Sequence, residues 1–168
     1  CKGKVSDLES KINDSLHTGN IGIAHTRWAT HGEPNTTNSH PHSDSHGHFS
    51  LIHNGIIENH YAIKEFLTDN GVSFTSDTDT EVLVQFMGYL YETKKLSFFE
   101  TIRLALKEVS GAYGIVVMSK NDPDKMIAAR NGSPLVLGLG DKEYFVGSDA
   151  SAIMEHTRNI LYLDDGEI

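Results

Sequence analysis

The stretch GHFSLIHNG (residues 47–55) alternates polar and apolar side chains and ends in Asn54-Gly55. Strict alternation marks a half-buried strand, and Asn-Gly after such a run is the strongest short-range signal for a type I′ hairpin turn. On its N-terminal side lies a polar loop, ATHGEPNTTNSHPHSDSHG (29–47), with two prolines. Loops of that length are uncommon unless functional or disordered. Further back, NIGIAHTR (20–27) reads as a buried strand. A capping box at Ser6 and Glu9 with Leu8, Ile12 and Leu16 at helical spacing predicts a helix over about 6–16, ended by Gly19.

On the C-terminal side the period changes to helical. A helix is predicted over 58–70, with Ile57, Tyr61, Phe66 and Leu67 as its apolar face and Asn70-Gly71 as its stop. SDTDTE (76–81) is a capping box, Thr78 to Glu81, that opens a helix through about Tyr91 burying Val82, Leu83, Phe86 and Leu90; Ser97 and Glu100 repeat the signal for 98–109. After Ser110 come short β-rich runs, GAYGIVVMS, MIAAR, PLVLGLG, EYFVGSD and ILYLD. The turn residues Asn121-Asp122-Pro123, Asn131-Gly132 and Asp141-Lys142 separate the first four, as in an antiparallel meander, and a short helix is predicted near 150–156. Helices packed on antiparallel sheets give an α+β or layered αββα domain.

The composition narrows the function. With 168 residues, 38% hydrophobic, the chain is one domain's worth of material with enough apolar mass for a core. A net charge of −9 and no Lys/Arg-rich run exclude a phosphate-backbone binder, so nucleic acid is not a partner. The longest apolar stretches fall far short of the roughly 20 residues of a membrane span. One Cys, at position 1, excludes an internal disulfide and a multi-thiolate metal site. Of the ten His, eight (His25, His31, His40, His42, His46, His48, His53 and His60) crowd into one stretch.

Four constellations could carry chemistry. His40-x-His42 and His46-x-His48 have spacings compatible with a borderline metal, with the Asp44 carboxylate nearby to hydrogen-bond a ligating imidazole, which would make a metal-assisted hydrolase; the alternative is a loop of solvated and internally bonded histidines. Asn54-Gly55 is either a turn or a pair of donors to a developing oxyanion. Arg27, with Thr30 and His31 beyond Trp28, could grip a carboxylate bidentately or make a structural ion pair. Asp79 is either a favourable helix-N-terminal carboxylate or a site for a substrate ammonium.

Read in order, GIAHTRWATHGEP (22–34), NSHPH (38–42), HNGIIEN (53–59), SDTDTE (76–81), GAYGIVVM (111–118) and GSPLVLGLG (132–140) strongly resemble the glutaminase domains of the glucosamine-6-phosphate synthase family. These are class II, N-terminal-nucleophile glutamine amidotransferases, and the likeness runs along nearly the whole chain. It implies an α+β, four-layer αββα N-terminal-nucleophile hydrolase fold. It also implies hydrolysis of the glutamine side-chain amide, with ammonia passed to a sugar-phosphate isomerase domain of the same parent chain to turn fructose 6-phosphate into glucosamine 6-phosphate, a cytoplasmic step of amino-sugar synthesis. No cofactor and no metal are implied. The partners implied are glutamine or glutamate and the isomerase domain, with no nucleic acid or membrane.

Carried over by position, Arg27 binds the glutamine α-carboxylate, with Thr30 and His31 in the loop around the substrate. Trp28 lies in the loop that closes over it, Asn54 and Gly55 form the oxyanion hole, and Asp79 holds the α-ammonium. His40 and His53 match family histidines near the site. Cys1 departs from the pattern: the family nucleophile opens a strand of the form CGIVG, whereas KGKV after Cys1 resembles a later family segment. The expectation is therefore a chain in which Cys1 is not the nucleophile, the first strand and the tail after LDDGEI are missing, and exposed strand edges favour self-association. Alone it would be inactive. The competing readings are a non-catalytic glutamine- or glutamate-binding or structural fragment, and the His-loop metallohydrolase.

Overall fold

Alternation at 49–57 does produce a strand, but one that runs straight through Asn54-Gly55. In the computed structural model, which describes residues 3–12, 19–27 and 32–168, the strands of one sheet are β1 (His42–Ser43), β2 (Phe49–Ile57), β3 (Gly111–Ser119) and β4 (Asp122–Asn131). They are antiparallel in the order β1-β2-β3-β4. β2 and β3 pair without interruption from Phe49↔Ser119 to Ile57↔Gly111. Asn54-Gly55 is thus no hairpin turn. Gly55 instead adopts φ +129°, and a Cβ there would sit 2.0 Å from the Ala112 carbonyl oxygen, so the strand passes β3 at a separation that only glycine permits.

Phe49, Leu51 and Ile57 of β2 share one face with Tyr113, Ile115 and Val117 of β3 and with Ile127 and Ala129 of β4, and all are buried. Three helices, α2 (His60–Asp69), α3 (Asp79–Lys94) and α4 (Phe98–Lys107), cover that face. α3 lies against β1, β2, α2 and α4 and is buried at every position from Asp79 to Gly88. Its core contribution includes the expected Val82, Leu83, Phe86 and Leu90. Thr78 Oγ1 accepts the Glu81 backbone N–H at 3.1 Å and Ser97 Oγ accepts that of Glu100 at 3.3 Å, so both predicted N-caps form where expected. A second antiparallel sheet, β6 (Tyr144–Gly147), β5 (Val136–Leu139) and β7 (Ile160–Tyr162) in that spatial order, completes an α+β architecture. No described helix is long and apolar enough to cross a membrane.

Several expectations change. The first helix, α1, spans only Val5–Glu9 and is closed by Asp7, which accepts the Lys4 N–H at 2.7 Å, rather than by Ser6 and Glu9. Leu8 and Ile12 are exposed, so no apolar stripe extends it, and Leu16 lies outside the described residues. Residues 20–27 form no strand: their burial alternates between half-buried and exposed, but among the described residues no neighbour supplies a ladder. In α2 the buried face is His60, Ile63 and Leu67, with Tyr61 74% and Phe66 45% exposed. Ile57 is buried too, but as the last residue of β2. The predicted meander divides between two sheets, because β5 pairs with β6 and β7 and not with β4. Asp122 and Pro123 already belong to β4, and the helix near 150–156 is a single 3-10 turn at Ala150–Ala152.

Leu83 is completely buried, so Leu83→Ala is expected to lower the unfolding free energy by about 2–5 kcal/mol. Tyr61→Ala, on the exposed side of α2, should change it by no more than about 0.5 kcal/mol. Urea unfolding of both variants checks the assignment of faces.

Candidate active site

The C-terminal half of β2 meets the first turn of α3 and two loop segments, 25–27 and 32–42. α3 brings Asp79 into this junction. Its carboxylate leaves its own helix: Oδ2 accepts the Ile57 backbone N–H at 2.9 Å, and the residue is only 3% exposed. Asp79 therefore ties helix to strand. The Thr80 hydroxyl lies 3.4 Å from Asp79 Oδ1, and His53 Nδ1 lies 4.0 Å from Oδ2.

Asn54 points to the opposite face of β2 and is exposed. Its Oδ1 faces His25 Nε2 at 2.9 Å, and its Nδ2 makes no hydrogen bond among the described residues. The orientation of this contact is fixed by a chain of groups. The Arg27 backbone N–H donates to His25 Nδ1 at 2.9 Å, and a backbone N–H can only donate. His25 Nδ1 is then an acceptor and the ring proton sits on Nε2, where it donates to Asn54 Oδ1. His40 Nδ1, 3.0 Å from the same His25 Nδ1, must likewise donate, which leaves His40 Nε2 to accept from the Thr80 hydroxyl at 2.9 Å. Thr80 Oγ1 in turn accepts a hydrogen bond from His53 Nδ1 at 3.1 Å. For His40, burial first and the neighbouring His25, His42, His53 and Arg27 next lower the pKa from 6.5 to about 3.

A second chain runs beside it. Glu81 accepts four hydrogen bonds, from the backbone N–H and hydroxyl of Thr75 (2.9 Å each) and of Ser76 (2.6 Å each). Burial opposes its ionisation, but these bonds outweigh it and hold the carboxyl below its usual range. The Thr78 hydroxyl lies between Ser76 Oγ at 2.9 Å and His42 Nε2 at 3.0 Å and links them to the Glu81 carboxylate. Burial lowers the pKa of His42, with Glu81 pulling against it.

The Arg27 guanidinium donates to two loop carbonyls, Gly32 at 3.2 Å and Glu33 at 3.1 Å, from a residue with φ +24°. Asn38 clasps the same loop to α3's approach: Nδ2 donates to Glu33 O and Asp77 Oδ2, and Oδ1 accepts the Asp77 N–H. Cys1, Trp28, Thr30 and His31 lie outside the described residues. Of the expected site residues, Arg27, Asn54, Gly55 and Asp79 therefore have a described environment. His40-x-His42 and His46-x-His48 do not form one cluster, since the first pair belongs to the two relays and the second lies in the β1–β2 turn with Asp44. Sequence reading gave no role to His25 or Thr80, which come from different segments and become partners only in the fold.

The folded protein keeps His40 neutral down to about pH 3, while the unfolded chain protonates it below about 6.5. Above 6.5 the two states carry the same charge; below it the unfolded state binds the extra proton. His40 thus removes stability as the pH falls from 6.5 to about 3, by up to about 1.4 kcal/mol per pH unit. His40→Gln should flatten that part of the acid slope in urea unfolding across this range, leaving the slope due to Glu81.

Comparison with known proteins adds a family. Residues 10–166 match the model described as the glutamine amidotransferase domain. Over 99% of its length the chain is similar to enzymes named glutamine–fructose-6-phosphate aminotransferase (isomerizing), with 52% identity to that of Bacteroides thetaiotaomicron, 51% to that of Chlorobaculum tepidum and 48% to that of Clostridium tetani. It spans only 27–28% of the length of these relatives. Among solved structures, the glutamine phosphoribosylpyrophosphate amidotransferase of B. subtilis superposes with a TM-score of 0.65 at 28% identity, over 83% of this chain and 29% of that one. A structure described as the allosteric regulatory enzyme of purine biosynthesis gives a TM-score of 0.61 at 26% identity, over 76% and 27%.

Proposed function

This chain belongs to the family of glutamine amidotransferase domains, and we propose that it is the part of a longer isomerising aminotransferase that releases ammonia from glutamine. The side-chain amide carbon is attacked, the C–N bond breaks, ammonia leaves and water frees glutamate from the acyl intermediate. In the parent protein the ammonia is used by a sugar-phosphate isomerase domain to convert fructose 6-phosphate into glucosamine 6-phosphate, in the cytoplasm. The nucleophile is assigned to none of the described residues.

The state of Asn54 carries this reading. An asparagine whose Oδ1 is held by His25 has its amide nitrogen turned outward as a preset double donor. A donor fixed before the reaction costs no reorganisation when the carbonyl oxygen becomes an oxyanion. Gly55 lets the strand carry that donor past β3 at close range. Arg27 supplies the cation suited to the glutamine α-carboxylate, and Asp79 the anion suited to its α-ammonium. Trp28, Thr30 and His31 complete the substrate loop in this proposal. Because Asp79 is buried and already accepts from Ile57, its remaining lone pairs would serve the ammonium without breaking the link from helix to strand.

In the full-length enzyme, Asn54→Ala should lower kcat for glutamine hydrolysis by about 10²–10³ with KM little changed, while ammonia-dependent synthesis persists. His25→Ala should lower kcat by a smaller factor, and the double variant should be no worse than Asn54→Ala alone, because His25 acts through Asn54. Fully multiplicative losses would refute that coupling. Arg27→Ala should raise the glutamine KM and spare the ammonia-dependent reaction; unchanged glutamine kinetics would remove it from the carboxylate site.

A further inference from the structure

The turn between β1 and β2 contains a second cluster that the amidotransferase chemistry does not use. Asp44, His46 and His48 each place a possible ligand atom within 4.8 Å of the other two. We propose that these three residues form a binding site for a borderline divalent metal ion of the zinc, nickel or cobalt class, separate from the glutamine site.

The ligand types fit such an ion, for which imidazole and carboxylate are ordinary donors. The turn is also held in place before any ion arrives. Asp44 Oδ1 accepts the Phe49 N–H at 2.6 Å and Oδ2 that of His46 at 3.1 Å. The Gly47 N–H donates to Asp44 O at 2.9 Å. Ser45 donates through both its N–H and its hydroxyl to Gln85 Oε1 of α3, at 3.0 and 2.9 Å. α3 backs the site closely: a Cβ on Gly88 would fall 2.8 Å from Asp44 Cβ and 2.9 Å from Oδ2.

Asp44 is 5% exposed and, among the described residues, forms no ion pair with Lys or Arg. A buried carboxylate without a countercharge is costly, and a bound cation would supply one. His48 carries the complementary feature. Its Nε2 lies 2.6 Å from Glu92 Oε1, and because a carboxylate only accepts, Nε2 donates and Nδ1 is the nitrogen left available to an ion. Glu92 is itself fixed by Lys95 at 2.9 Å. A carboxylate that takes one imidazole N–H and so sets the tautomer of the other nitrogen is the usual outer support of a metal-bound histidine.

His46 is the adjustable member. It is exposed, and its ring stacks on that of His48 with centroids 5.7 Å apart and 17° between planes. Metal–ligand bonds of about 2.0–2.1 Å require the donors to draw in to about 3.4 Å of each other. Rotation of the His46 ring can supply that closure while the Asp44 carboxylate stays pinned. Gly47 and His48 also line an open cleft of about 740 Å³, which gives the ion and its remaining waters a path from solvent.

The test uses the untagged full-length protein, stripped of metal by a chelator. Titration with Co²⁺ should give the visible d–d absorption of a low-symmetry nitrogen and oxygen site, and Zn²⁺ should displace it at one equivalent and raise the thermal midpoint. His46→Asn touches no core contact and should weaken Zn²⁺ at least tenfold; His46→Asn with His48→Gln should abolish the cobalt spectrum. Glutamine hydrolysis in metal-free buffer should be unchanged in His46→Asn, so failure of the metal site is separate from failure of the glutaminase reading. No cobalt absorption up to millimolar metal would overturn the proposal. So would binding that is as tight in His46→Asn as in the wild type, because the ion would then be held elsewhere.

Discussion

The hydrogen bond from the Ile57 N–H to Asp79 Oδ2 joins the end of the central strand to the start of the central helix. A carboxylate at a helix N-terminus is ordinarily stabilised by the free N–H groups of its own first turn. Here that task passes to the Thr78 hydroxyl, and the aspartate is released to bond across to β2. With α3 anchored there, the adjacent Thr80 is brought to the histidines and Glu81 to the Thr75-Ser76 segment. The short sequence TDTE thus distributes four side chains to four tasks, and both relays begin from it.

These relays change the meaning of the histidine count. In an acidic chain many histidines could be read as countercharges. His40 and His42 are held towards the neutral form instead, because burial disfavours the imidazolium. Leaving a buried polar atom unpaired costs about 1–3 kcal/mol, so a relay with one allowed direction also specifies one packing of the segments that contribute to it. One backbone amide, that of Arg27, sets the direction for His25, His40, Thr80 and His53.

Local signals in the sequence were reliable where the physics was local. The N-caps of α3 and α4 depend on side chains three residues from the amides they bond, and both form as read. The alternation of β2 was legible for the same reason. Errors arose where a distant partner decides. Asn54-Gly55 has turn propensity, yet pairing with Gly114 and Tyr113 of β3 keeps it extended. Tyr61 and Phe66 have the spacing of an apolar face, but tertiary contacts select His60, Ile63 and Leu67. The family motifs singled out Arg27, Asn54, Gly55 and Asp79 as the proposed site, whereas their neighbours His25 and Thr80 were invisible without the fold that brings residues 29 and 55 positions apart into one chain of bonds.

His53 and Asn54 are neighbours in β2 and face opposite sides of the sheet, one buried among the helices and the other exposed. A strand that slipped by one residue against β3 would exchange them. Asn54 would enter the apolar layer with its amide unsatisfied, and His53 would lose Thr80. Gly55 would leave the one place where the Ala112 carbonyl demands a missing Cβ. Misregistered chains are therefore penalised at three consecutive residues at once. The same three residues thus act as a check on assembly, so a chain that passes the check already has the Asn54 amide aimed outward.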